Sequence, residues 1–384
     1  MTTTAQTVKQ QMAALVGAAS VSSTDPRWDS SNLPVLQLIA DYAAQQGFDC
    51  EIQKLGGTVA KGNLIARLGP DTTGGLVLSG HTDTVPFDEG RWRSDPLALT
   101  ERDGALYGLG ATDMKGFFAI ALAAVNCIDH RQLKRPIYLL GTADEESTMA
   151  GARALSKSDI ARADAAIIGE PTALQPVRLH KGIMMQAIDI HGTSGHSSNP
   201  DLGKNTIDAL PALLAALDQY RHALRTRFHC ELLSVPYPTL NFGCVHGGDS
   251  PNRICGHLSL HIDVRMVPGM HFEQVEAELQ SAIASIGEQI GLTVSMRRLI
   301  DPVPAFEQDA SSALVQAACA DSGAEAIGVN YGTEAPFLQR LGLDTIVMGP
   351  GHIDCAHQPD EHLPLAQIQP AIDRFSRLIA RYCL

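Results

Sequence analysis

Apolar residues in the first third of the chain come in short runs separated by amphipathic stretches, the pattern of strands joined by helices in an α/β sheet. Residues 33–46 carry apolar side chains at helical spacing and stop at Gly47, a good helix terminator. Residues 63–68, 75–79, 135–141 and 165–168 read as strands. GLVLS at 75–79 and IYLL at 137–140 are nearly continuous apolar runs, the mark of strands covered on both faces. Between them residues 113–128 (DMKGFFAIALAAVNCI) are rich in Ala and Leu and predict a buried helix. The expected sheet is central and largely parallel.

The middle of the chain has a different rhythm. Residues 181–190 predict a strand, 205–225 a helix, and 239–245 and 254–265 two more strands. Phe272, Val275, Leu279, Ile283, Ile286 and Ile290 then recur at steps of 3 or 4, an amphipathic helix, and residues 293–298 supply a last strand. This β-α-β-β-α-β order is the split βαβ arrangement, one sheet with two helices on a single face, able to stand as a small ferredoxin-like domain. Pro211 inside the first helix predicts a kink or a later start. From about residue 299 the α/β pattern resumes, with helices at 311–322 and 365–383 and a strand at 344–348. Residues 181–291 thus read as an insertion into a catalytic domain made of 1–180 and 292–384.

The chain has 384 residues, more than one hydrophobic core usually serves, in keeping with two domains. Its formal net charge of −13 argues against a nucleic-acid partner, which would call for a basic face. No apolar run approaches the roughly 20 residues that cross a bilayer. The polar start MTTTAQTVKQ lacks the basic and apolar regions of a secretory leader, so a soluble, cytoplasmic protein with no membrane partner is expected. Eight scattered cysteines with no CxxC pair fit reduced thiols better than a disulfide frame or a zinc ribbon.

Candidate chemistry gathers where predicted strands end, the place open parallel sheets keep for ligands. His81-Thr82-Asp83 follows the strand 75–79. Residues two apart in an extended chain face the same side, so His81 can meet a metal while Asp83 reaches its other ring nitrogen. Asp113 lies in GLGATDMKG ahead of the Ala-rich helix, with Gly110 and Gly116 permitting close backbone approach. Glu145 and Glu146 follow the strand 135–141; adjacent side chains diverge, so one can bind metal while the other handles protons. Glu170 in IIGEPT ends the strand 165–168, and His357 lies far downstream in AHQPDEHL.

Each has a plainer account when taken singly. A His-x-Asp pair is commonly a surface or capping feature, Asp113 could be a helix N-cap, Glu170 a turn residue, and His357 one of 14 histidines. Together they supply two imidazoles and three carboxylates with no cysteine, the donor set of a two-zinc centre in which Asp113 is shared.

The runs HTD, GxGxxDMKG, DEE, GEPT and AHQPDE, in that order, resemble the co-catalytic dizinc aminoacylase and carboxypeptidase family. The likeness extends through KGIMM, GTSGHSSNP, NFGCVHGGDSPNRICG, DVRMVPGM and YGTEAPFL, nearly the whole chain. It implies a metal-dependent amidohydrolase with two divalent ions, Zn2+ first and Co2+ as the alternative. His81, Asp113 and Glu170 would hold one ion, and Asp113, Glu146 and His357 the other. Asp83 would orient His81, and Glu145 would be the general base. The family also carries a cis peptide after the bridging aspartate, here Asp113-Met114.

The resemblance further implies a homodimer in which His196 of GTSGHSS, on the inserted lid, reaches the partner's active site. Leu109 and Met266 depart from its usual Arg and Pro, without touching a ligand. Within the family the lid and YGTEAPFL runs point to removal of acetyl from N2-acetyl-L-ornithine in arginine synthesis. Relatives acting on N-acetylcitrulline, N-succinyl-diaminopimelate or other N-acyl amino acids share the metal set. For such a substrate the planar guanidinium of Arg265, with Asn252 in the turn DSPNRI, suits a free α-carboxylate. Glu334 in YGTEAPFL suits a cationic δ-amine. Plainer accounts of Arg265 and Glu334 are a surface ion pair and a first-turn helical carboxylate. A catalytically silent binding protein on the same fold is the alternative from another class; the intact set of six residues speaks against it.

Overall fold

The computed structural model describes residues 4–88, 90–160 and 163–384. They form two compact units, one of residues 1–178, 308–327 and 333–384, the other of residues 179–307 and 328–332.

The first unit is a mixed α/β fold. Its sheet runs in the order Asp49–Leu55, Lys61–Leu68, Ile137–Thr142, Leu76–His81, Ala165–Pro171, Asp344–Gly349. The last four are mutually parallel, and the first two add an antiparallel edge. Every residue of Leu76–His81, Ile137–Thr142 and Ala165–Pro171 is buried, as their continuous apolar runs require. Helices Thr4–Gly17, Leu33–Gln45, Lys115–Asn126 and Leu365–Cys383 pack with the sheet into one apolar cluster. Lys115–Asn126 is buried along all but its last residue, so its Ala and Leu content serves packing on every side.

Three strands extend past the apolar runs that predict them. His81, Thr142 and Glu170 therefore lie inside strands, because ladder hydrogen bonds continue after the hydrophobic run stops. The N-terminal helix, the polar edge strand Asp49–Leu55 and a small sheet of Thr100–Arg102, Ala105–Tyr107 and His362–Pro364 were not expected.

The second unit has the strand order Thr239–Gly247, His257–Met266, Gly182–His191, Thr293–Arg298, all antiparallel. With helices Thr206–Arg227 and Phe272–Ile290 the chain order is β-α-β-β-α-β. Leu258, Leu260, Ile262 and Val264 join Leu213, Leu217, Val275, Leu279 and Ile283 in one cluster, while His257, Ser259, His261, Asp263 and Arg265 alternate onto the opposite face. Thr293–Arg298 pairs with Gly182–His191, so this unit runs past residue 291 to Glu307. Pro211 does not delay the first helix: Asn205 caps it through the Ile207 N–H, and the proline costs only one early intrahelical bond. Among the described residues no helix is long and apolar enough to cross a membrane, and all eight cysteines are free thiols.

Candidate metal centre

The parallel strands of the first unit deliver their carboxyl ends to one edge. His81 is the last residue of Leu76–His81, Asp144-Glu145-Glu146 follow Ile137–Thr142, Glu170 is the penultimate residue of Ala165–Pro171, and His357 follows Asp344–Gly349. The loop ahead of helix Lys115–Asn126 brings Asp113 to the same edge. Gly116 is required there, since a Cβ would lie 2.2 Å from the Ala111 carbonyl oxygen. The Asp113-Met114 peptide is cis.

Two groups of three donors converge with atoms within 4.8 Å of one another: His81, Asp113 and Glu170, and Asp113, Glu146 and His357. His81 Nε2 stands 3.0 Å from Asp113 Oδ1 and 3.8 Å from Glu170 Oε1. His357 Nε2 stands 2.9 Å from the Glu146 carboxylate and 3.3 Å from Asp113 Oδ2. Asp113 thus offers one oxygen to each histidine. It makes no helix-capping bond; Met114 is the capping position. Glu145 forms a third such group with His81 and Glu146, so its carboxyl abuts both sets that share Asp113 and belongs to neither.

The donor chemistry fits a pair of divalent cations. His81 Nδ1 lies 3.0 Å from the Asp83 backbone carbonyl, which can only accept, so the proton is assigned to Nδ1. Nε2 is then the nitrogen that faces a carboxylate oxygen, a contact bridged by a ring proton in the protein alone and open to a metal cation in its place. Four carboxylates, Asp113, Glu145, Glu146 and Glu170, crowd around two imidazoles, a charge that two divalent ions would neutralise.

The titration of the protein alone reflects this crowding. Burial, then the charge of Glu170, pushes Glu145 well above the usual carboxylate range. Burial, then Asp113, does the same for Glu170 and raises Glu146 less far. Burial opposes the charged ring of His81, yet Asp113, Glu170 and Asp83 lift it well above the imidazole range. Hydrogen bonds to Asp113 and Glu146 raise His357 to about 10. For Asp113 burial works upward, but His357 and His81 prevail and hold it below the ordinary range.

Asp83 acts differently from the expectation. Its carboxylate is 3.7 Å from His81 Nδ1, and its backbone carbonyl takes the ring proton instead. The carboxylate accepts the backbone N–H groups of Glu145 and Glu146 at 3.3 and 3.1 Å. One buried residue therefore fixes the His81 tautomer and the loop that carries both glutamates. Asp144, at a positive φ of 59°, anchors the same loop: its Oδ1 accepts from Lys61 Nζ at 2.7 Å and Ser22 Oγ at 2.8 Å. His357 also has a positive φ, 58°, the left-handed strain that clusters at functional sites.

Glu361 is a member of the site's framework that the sequence did not reveal. It is buried, and its Oε1 accepts the N–H groups of Thr112 and Asp113 at 2.8 and 2.9 Å while Oε2 accepts that of Gly110 at 3.1 Å. Its signal was an acid four residues after His357, not separable by pattern from Asp360 beside it.

Glu334 joins the cluster. It is almost fully buried, Thr142 Oγ1 donates to its Oε2 at 2.8 Å, and Oε1 is buried with no hydrogen-bond partner among the described residues. Burial pushes its pKa up to about 7. Its side chain makes no capping bond to the helix Ala335–Arg340 that it precedes.

The remaining predicted residues belong to the second unit. His196 is exposed, with Nδ1 accepting from Ser198 Oγ at 2.7 Å. Its turn adjoins that of Asn252, whose backbone carbonyl accepts the Ser197 N–H. Arg265 pairs with Asp263 at 2.9 Å, the ion pair of the plainer account.

Comparison with known proteins follows the same lines. The family model described as Peptidase family M20/M25/M40 matches residues 77–381. A tripeptidase from Staphylococcus aureus subsp. aureus Mu50 shares the fold at a TM-score of 0.75, with 19% identity over 98% of this chain and 99% of that one. A metallo-carboxypeptidase from Sulfolobus solfataricus matches at 0.75, with 18% identity over 99% of each chain. A dinuclear metal-binding peptidase from Bacillus subtilis matches at 0.68, with 17% identity over 98% of each chain.

Proposed function

This chain belongs to peptidase family M20/M25/M40, and on that premise we propose that it is a two-metal amidohydrolase, an acetylornithine deacetylase that cleaves N2-acetyl-L-ornithine to L-ornithine and acetate. The observation that carries the reading is the pair of three-donor groups sharing Asp113, with Glu145 beside both and part of neither. His81, Asp113 and Glu170 would hold one divalent ion; Asp113, Glu146 and His357 would hold the other. Zn2+ suits these donors, as does Co2+. When bound, the ions supply Lewis-acid polarisation of the scissile carbonyl and acidify the attacking water.

The chain's own residues do the proton work. Glu145, unliganded and with a raised proton affinity, takes a proton from the attacking water and later delivers it to the leaving amine. Asp83 keeps it aimed by holding its backbone N–H. His196, contributed across a homodimer, hydrogen-bonds the tetrahedral oxyanion; this role rests on the resemblance. Arg265 and Asn252 receive the α-carboxylate.

The finer assignment leans on Glu334. A buried carboxylate oxygen without a partner is costly unless something cationic meets it, and the δ-ammonium of ornithine is a chemical match. The test is a rate comparison on N2-acetyl-L-ornithine, N-acetylcitrulline, N-succinyl-diaminopimelate and neutral acetylated amino acids, before and after chelation. Fastest turnover of acetylornithine, abolished by chelation and restored by Zn2+ or Co2+, is expected. Preference for another of these amides would overturn the substrate, and activity indifferent to chelation would overturn the mechanism.

A further inference from the structure

The polar face of the second unit carries a cluster that the hydrolytic reading does not use. Cys244, His246 and His261 bring one sulfur and two ring nitrogens within 4.8 Å of one another. Cys244 and His246 are exposed residues of Thr239–Gly247, two apart and so on one face; His261 lies directly opposite Cys244 on the neighbouring strand. The His246 and His261 rings meet edge to face at 5.1 Å between centroids. Among the described residues none makes a side-chain hydrogen bond to any of the three.

The backbone builds this arrangement through one irregularity. Phe242 pairs with Ile262 and Cys244 with His261, so Gly243 is an extra residue, a β-bulge. In unbroken register Cys244 and His246 would face the side of Leu260 and Leu258, the apolar face that packs on the helices. The bulge turns both toward His261.

We propose that Cys244, His246 and His261 form a second, thiolate-containing metal site that takes a borderline divalent transition ion, Zn2+ first, and clips the bulged edge strand to its neighbour. A thiolate with two imidazoles is a recurrent set of three zinc donors, and water completes the tetrahedron on the open face. Donors at zinc distances stand roughly 3.3–3.8 Å apart, so about 1 Å of side-chain adjustment closes the set.

Sulfur makes the site separately readable, because the donors around Asp113 include no cysteine. The full-length chain, stripped of metal, is titrated with Co2+ while the thiolate-to-cobalt charge-transfer absorption is followed in the near ultraviolet. The band should level off at the amplitude of one thiolate-bound cobalt per chain once the donors around Asp113 are also filled, vanish in Cys244→Ser, and persist in His81→Ala or Asp113→Asn. His246→Ala and His261→Ala should each weaken apparent affinity at least ~10-fold, the scale set by losing even an outer partner of a ligand. Because Cys244 and His246 are exposed, these variants should fold, and their far-ultraviolet circular dichroism should match the parent. No band, a band unchanged in Cys244→Ser, or one indifferent to both histidines would overturn the proposal. None of these readouts depends on hydrolysis.

Discussion

Replacing Glu361 by alanine removes the acceptor of three buried N–H groups, those of Gly110, Thr112 and Asp113. A buried donor left without a partner costs about 1–3 kcal/mol, so three unanswered groups would cost roughly 3–9 kcal/mol. Two effects reduce this. Water can enter the space the side chain vacates, and the variant no longer buries a carboxyl whose pKa is pushed up to about 7, first by burial and then by Asp113. A net loss of ~2–4 kcal/mol is expected, a large fraction of a typical folding free energy. Glutamine discriminates the cause. Its single oxygen, placed where Oε1 stands, retains the Thr112 and Asp113 bonds and loses only that to Gly110, costing about 1–1.5 kcal/mol. Urea unfolding of the metal-free protein measures both values. Since Asp113 is the shared ligand, Glu361→Ala should also weaken metal binding at least ~10-fold in equilibrium dialysis, as outer partners of ligands do. A Glu361→Ala protein within 1 kcal/mol of the parent, with unchanged metal affinity, would refute the reasoning; so would glutamine costing as much as alanine.

Two further outcomes follow from the same geometry. Glu145→Ala should retain its metal while kcat falls about 100- to 10,000-fold, the range for losing a general acid or base; a drop of a few-fold with full metal would remove Glu145 from proton transfer. The preference for acetylornithine over neutral acetylated amino acids, as a ratio of kcat/KM, should grow as pH rises through about 7. Glu334 holds an ammonium only once its raised carboxyl has ionised. In Glu334→Gln the ratio should be lower and flat with pH, and an unchanged preference would exclude Glu334 from side-chain recognition.

The parts of this site that were legible in the sequence are those where one residue type announces its position. His81 and Glu170 stand at the ends of fully apolar runs, where chemistry is conspicuous because nothing polar precedes it. Asp113 stood out through its flanking glycines, and Gly116 is needed for the close contact with Ala111. Choosing between Glu145 and Glu146 was not a local matter. Their side chains diverge, and which one meets His357 is settled by a loop held from Asp83 and Asp144, residues distant in sequence from His357. His357 entered only as one more donor in a collective count, and the pairing of ligands came from family likeness.

Glu361 escaped because its charge is spent on backbone amides, which leave no trace in composition. The edge strand Asp49–Leu55 escaped for a related reason: no residue in it is fully buried, so its DCEIQKL lacks a hydrophobic run. The N-terminal helix carried a readable stripe, Val8, Met12, Leu15 and Val16, within a polar opening that masked it. The bulge at Gly243, by contrast, changes which face two side chains take while leaving the alternation of residue types intact.

The most direct test is anomalous diffraction at the zinc edge from crystals grown with excess zinc. The account predicts two peaks sharing Asp113, one enclosed by His81, Asp113 and Glu170 and the other by Asp113, Glu146 and His357. Strong zinc peaks elsewhere with none bridged by Asp113, or His357 turned away from Asp113 in the loaded crystal, would contradict it.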